Sequence, residues 1–233
     1  MMTLPRFVFG GGLFAVLGLT MCSAGSIVGT IRGVPPTGAP GQAAADGSAY
    51  GSRRYKYVEK IDYSALRDFV VNVEGAFKDI VPEALRSGEV KTTQRDANFD
   101  PHVLPVVKGT TVRWPNEDDI FHNVFSMSDA KQFDLGYYKK EKEPEVLFDV
   151  VGKVDVFCAI HTKMHCVILV LPNPYFKMAD EKGRYRIENV PAGTYRVRGW
   201  HERLPAQFKE VVVPSVGEVK VDFTLGVGQP PKP

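Results

Sequence analysis

V-D-V-F-C-A-I-H-T-K-M-H-C-V-I-L-V, residues 154–170, is the stretch on which the reading of this 233-residue chain turns. Its two ends are rich in Val, Ile and Leu, the composition of half-buried or buried strands, whereas its middle, 159–164, is polar and short. The pattern is strand, tight loop, strand. The loop region carries Cys158, His161 and Met164 at C-x-x-H-x-x-M spacing, so one loop can curl three potential metal ligands around a point. A fourth must come from a neighbouring strand, and the run His122-Asn123-Val124-Phe125 supplies a candidate in His122.

His122, Cys158, His161 and Met164 offer two imidazoles, a thiolate and a thioether. That donor set suits a blue-copper electron-transfer site: imidazole stabilises Cu(II), a long thioether favours Cu(I), and a metal deprotonates the cysteine outright. A site that suits neither oxidation state fully changes little on reduction, which favours fast electron transfer over hydrolysis. The backbone N–H or side chain of Asn123 is expected to restrain the Cys158 sulfur and join the two loops. Other readings of the same residues stay open. Zinc could use Cys158, His161, His165 and Cys166, although 165–171 reads as a strand rather than the bent connection of a finger. A Cys158–Cys166 disulfide is geometrically conceivable, and the spacing could be coincidence. A dinuclear purple centre needs two closely spaced cysteines on one loop, but seven residues separate Cys158 from Cys166. A multicopper oxidase needs several His-x-His pairs, and the sequence has none. Of the five histidines, His102 and His165 are candidate outer-shell groups, and His201 lies in a different region.

The remaining chain sets the context. With 44% apolar and 24% charged residues the composition is that of a globular protein, and a net charge of +2 gives no argument for nucleic-acid binding, which needs concentrated positive charge. Residues 1–24 read as a secretory signal peptide: Arg6, then an apolar glycine-rich run, then small residues. An uncleaved anchor, or lipid attachment at Cys22 in a sequence that resembles a lipobox, are the alternatives, and they are the only route to a membrane. The expected location is the periplasm or otherwise outside the cytoplasm. Residues 26–33 alternate like a first strand, 34–51 read as a linker, and 68–74 as a second strand followed by a loop or short helix. Short β-rich runs then fall at 90–95, 103–107, 110–114, 122–126, 145–148, 153–158 and 166–171, with 129–144 as a long polar loop. That is sandwich spacing. Beyond 172, strands are expected within 180–200, then at 208–213 and 218–225, with a disordered tail at 227–233.

The segment F-D-P-H-V-L-P-V-V-K-G-T-T-V-R-W-P-N-E-D-D-I-F-H-N-V-F-S, residues 99–126, together with the opening stretch, resembles a cupredoxin of the plastocyanin and amicyanin kind. It is most similar to the exported bacterial cupredoxin-like proteins often labelled "methylamine utilization protein". The resemblance implies a Greek-key sandwich over 88–171 holding one type 1 copper ion. By it His122, Cys158 and His161 are equatorial ligands, Met164 is axial, and an exposed apolar patch including Ile160 and Phe121 passes the electron. Residues 180–200 separately resemble a carboxypeptidase-regulatory or transthyretin-like Ig-type sandwich, whose usual first strand S-I-V-G-T-I-R (26–32) also resembles. The second, smaller sandwich is therefore expected to comprise 172–226 completed by strands from 26–77, with the copper region inserted between them. The resulting expectation is an all-β, non-enzymatic carrier of single electrons between a redox donor and a redox acceptor. The alternative is a copper-handling or envelope scaffold protein. Cys166 departs from the pattern, which leads us to expect a small non-thiol residue there.

Overall fold

The structure, a computed structural model, describes residues 24–35, 61–77 and 90–226. The expected signal segment, most of the linker, the segment after 77 and the tail lie outside the described residues. In chain order the strands are β1 (Ala24–Gly33), β2 (Val70–Val73), β3 (Thr93–Arg95), β4 (Asn98–Asp100), β5 (Val103–Val107), β6 (Thr110–Arg113), β7 (His122–Ser128), β8 (Lys131–Tyr138) and β9 (Glu145–Phe148). They continue with β10 (Gly152–Cys158), β11 (His165–Leu171), β12 (Phe176–Met178), β13 (Arg184–Pro191), β14 (Gly193–His201), β15 (Leu204–Val213), β16 (Glu218–Lys220) and β17 (Phe223–Leu225). The described residues are all-β.

Side-chain alternation frames the site. In β10, Val154, Val156 and Cys158 point inward and Phe157 outward, so the cysteine is the last inward residue of its strand. In β11 every residue from Cys166 onward is buried, the continuous apolar run of a strand covered on both faces. β11 pairs antiparallel with β10 and parallel with β5, and the five-stranded order is β5-β11-β10-β7-β8. The β6–β9 pair and the β3–β4 hairpin form the facing layer. Val154, Val156, Cys158, Cys166, Ile168 and Val170 meet Val112, Trp114, Val146 and Phe148 in the core between them.

The second sandwich draws on both ends of the chain. β1 pairs antiparallel with β13 and parallel with β16 and β17. β2 lies between β12 and β14, and β14 pairs with β15. Ile27, Ile31, Val71, Val73, Val197, Val213 and Phe223 fill its core. Gly29 is required there, because a Cβ would sit 1.8 Å from the Val221 carbonyl oxygen.

A third core joins the two sandwiches. Val103, Val167, Leu169 and Leu171, on the outer face of the five-stranded sheet, pack against Val70 of β2 and Trp200 of β14. This explains why β2 is buried on both faces: its odd and even residues serve different cores.

Three sequence expectations need correction. The supposed polar loop at 129–144 contains β8, an edge strand beside β7. Phe133 and Leu135 alternate with exposed Gln132 and Asp134, so only one thin apolar stripe marks it. The strand expected at 90–95 is shorter and is half of a hairpin whose partner β4 the sequence reading missed. The strand expected at 218–225 breaks at Val221-Asp222, because the Asp222 carboxylate turns to accept from the Thr30 N–H at 2.8 Å and hydroxyl at 2.9 Å.

Candidate metal centre

Three elements converge at one end of the first sandwich. β7 delivers His122, β10 ends in Cys158, and the turn between β10 and β11 brings His161 back. That turn is tied by Met164 N–H to His161 O at 2.9 Å and by Cys158 N–H to Met164 O at 3.2 Å. The second bond closes the loop on itself, so the C-x-x-H-x-x-M spacing becomes a compact knuckle. Nδ1 of His122 and Nδ1 of His161 are 3.1 Å apart, and the Cys158 sulfur lies 3.8 Å and 3.6 Å from them. The point equidistant from three atoms so spaced is about 2 Å from each, the bond length of a first-row metal to nitrogen and slightly short of that to sulfur. The triangle is the right size to hold one first-row ion. His122 is fully buried, Cys158 and Met164 nearly so, and His161 partly exposed.

The orientation of His122 is set by a residue that sequence reasoning missed. Its Nε2–H donates to Asp118 Oδ2 at 2.8 Å, leaving Nδ1 to face the sulfur. A carboxylate behind a ligating imidazole fixes the tautomer and raises ligand basicity. Asp118 is itself held: the Asp96 N–H donates to Oδ1 at 2.7 Å and the Ala97 N–H to Oδ2 at 3.0 Å. Those amides converge because Asp96 and Ala97 form the two-residue turn of the β3–β4 hairpin, both with φ of 52°. For alanine that conformation is strained, and its use here marks the position. Burial pulls the Asp118 carboxyl upward, but the bonds from Ala97, His122 and Asp96 outweigh it and hold it below the ordinary carboxylate range. Asn116 anchors the same loop, donating to the carbonyls of Ile120 and Tyr138 and accepting from the Asp118 N–H at 2.9 Å. The signal was present in the sequence as an acid four residues before the histidine, in E-D-D-I-F-H.

The expected roles of the remaining residues divide. The Asn123 side chain does not reach the sulfur. It donates to Asp134 Oδ1 at 2.6 Å and ties β7 to β8. The Asn123 amide spans a strand pair because β7 alternates, which points His122 and Val124 away from it. Phe121 and Ile160, flanking His122 and His161 in sequence, are about half exposed, as is Ile120, and the Lys139 ammonium lies over the Phe121 ring at 4.7 Å. Cys158 and Cys166 are both free thiols, which removes the disulfide reading. Cys166 is fully buried in the first core opposite Val156, and burial followed by the charges of Asp155 and Glu202 pushes its thiol well up, keeping it protonated. A zinc set of Cys158, His161, His165 and Cys166 does not assemble: His165 gathers with His102 and Glu202, not with Cys158. The same grouping removes His102 and His165 from the outer shell of His122.

No protein-family model matches the chain, and no curated protein matches it. Among solved structures it is similar to the Cu-containing nitrite reductase NirK of Thermus scotoductus SA-01, with 22% identity over 37% of this chain and a TM-score of 0.35. The match spans only 23% of that reductase. A purple cupredoxin from Nitrosopumilus maritimus matches 35% of this chain and 98% of its own length, at 22% identity and a TM-score of 0.32. The reduced Cu(I) form of a point mutant of amicyanin matches 43% of this chain and 97% of its own length, at 20% identity and a TM-score of 0.34.

Proposed function

We propose that this protein is an exported one-electron carrier built around a single type 1 copper ion held by His122, Cys158, His161 and Met164. The observation that carries the reading is the triangle of two imidazole nitrogens and one sulfur, with edges of 3.1, 3.6 and 3.8 Å, with Met164 buried in the same hydrogen-bonded loop. When bound, copper supplies a one-electron couple that thiolate and thioether ligation keep accessible. The chain does the rest. Cys158 gives the thiolate, and the closed 158–164 knuckle prevents the ligands from relaxing around either oxidation state. Asp118 keeps the His122 nitrogen in line from behind. Two imidazoles, a thiolate and a thioether leave no position for a substrate, which supports a carrier rather than an enzyme.

The partly exposed His161 edge, beside Ile160 and Phe121, is the exit for the electron to donor and acceptor proteins. An apolar surface about these side chains allows close, short-lived contact with little desolvation cost. The N-terminal signal pattern supports a periplasmic or other exported location, and mass spectrometry of the mature N-terminus tests it. A start after residue 24 supports export with cleavage, and an intact Met1 on protein found in the soluble cytoplasmic fraction of the native host contradicts export. For the copper reading the experiment is metal analysis with an optical spectrum: one copper per chain and an intense blue colour are expected.

A further inference from the structure

A second cluster of ligating groups lies where the two sandwiches meet. His102 follows β4 in the bend before β5, His165 opens β11, and Glu202 sits in the turn between β14 and β15. One donor atom from each lies within 4.8 Å of the other two. We propose that His102, His165 and Glu202 form a second metal site, distinct from the Cys158 centre, for a divalent first-row ion of the zinc class, bridging the two sandwiches.

The hydrogen bonds call for a cation, a proton or a metal, between His102 and Glu202. His102 Nδ1 faces the His165 carbonyl oxygen at 3.1 Å, and the His102 carbonyl in turn accepts from the Val167 N–H at 2.8 Å. The first contact requires the proton on Nδ1, so the lone pair of the neutral ring is at Nε2. That atom faces Glu202 Oε1 at 3.0 Å. Two electron-rich atoms at that separation need a cation between or beside them, either a second proton or a metal. His165 is placed in the same way. Its Nε2 lies 3.1 Å from Asp155 Oδ1, and its ring is stacked on Phe157 at 4.8 Å and set edge-on to His102 at 5.5 Å. An imidazole backed by a carboxylate is the arrangement found behind ligating histidines.

Charges of both signs surround the cluster, Asp68 and Asp155 negative, Arg67 and Lys153 positive. Asp68 adds a carboxyl within electrostatic reach of His102 and Glu202; burial raises it first, His102 works against that, and the Glu202 charge adds to the rise. Lys153 pairs with Asp155 at 2.8 Å. Glu202 is largely enclosed, with 17% of its side chain exposed, while His102 keeps 39%. The cluster is thus closed on the protein side and open on one solvent side. Two imidazoles and a carboxylate with an open position match zinc, with no thiolate to select Cu(I). The inference does not depend on copper at the first centre.

The test uses tag-free mature protein. Zinc is titrated calorimetrically into a His122→Ala/Cys158→Ser variant, in which the first centre is disabled. One equivalent is expected, and adding His102→Ala/Glu202→Gln should weaken binding about 100-fold or more. Absence of zinc binding in the first variant, or unchanged affinity in the second, overturns the proposal. Should the buried substitutions prevent folding, copper-loaded wild-type protein is titrated with cobalt(II). A second equivalent without thiolate charge-transfer absorption is the expected result, and no second equivalent is the contrary one.

Discussion

The His122–Cys158–His161 corner and the His102–His165–Glu202 junction each gather three ligating side chains, but they are assembled on different principles. In the corner, two of the three groups sit three residues apart on one loop, and backbone hydrogen bonds within that loop fix them. At the junction, the pairing of β5 with β11 sets His102 beside His165, 63 residues away, and the packing of one sandwich on the other adds Glu202, 100 residues from His102. The first centre is a property of a knuckle, whereas the second takes its carboxylate across the interface core of Val70, Val103, Val167, Leu169, Leu171 and Trp200. Perturbations should therefore separate them.

The largest separation should come from Trp200→Ala. Emptying a nearly fully buried indole from the joining core should cost about 3–5 kcal/mol of stability in urea denaturation. The copper affinity of the folded protein should be unchanged. Loss of copper affinity in parallel with stability would break the comparison, because it would make the corner depend on the interface. Next in size is Asp118→Ala, which removes the acceptor behind His122. Competition with a copper chelator should show affinity reduced about 10- to 100-fold, with zinc binding at the junction untouched.

A smaller effect is expected for Asn123→Ala, which deletes the link from β7 to Asp134 on β8. Stability should fall by about 1 kcal/mol, while the optical spectrum of copper-loaded protein stays in place. A shifted spectrum would return Asn123 to the role of restraining the sulfur. The smallest expected effect on the centre itself is that of Ile160→Lys. It should leave colour and affinity unchanged but slow electron self-exchange, measured by NMR line broadening, by about tenfold through like-charge repulsion at the exit surface.

Legibility in the sequence followed the same division. β10, β11 and the ligand loop were readable because alternation in V-D-V-F-C and the apolar run after His165 both lie within one short window. His122 was readable because it opens a β-rich run. β8 was not: its inner face offers only Phe133, Leu135 and, past Gly136, Tyr138, and the long stretch of charges around it has loop composition. Asp118 was passed over because its value depends on the β3–β4 turn, whose amides come from 21 and 22 residues away. His102 and His165 carry no local mark of the turn at Glu202, so their sequence context points to the wrong centre. Local periodicity exposes strands and knuckles, whereas partners chosen by tertiary packing leave no local trace.

The central claim is that Cys158 is the thiolate ligand of a single copper ion, and the absorption spectrum of copper-loaded wild-type protein beside Cys158→Ser tests it most directly. The wild type should bind one copper per chain and show an intense blue thiolate-to-copper band, and Cys158→Ser should lose that band completely. A colourless copper-loaded wild type, or a blue band that survives the substitution, would contradict it.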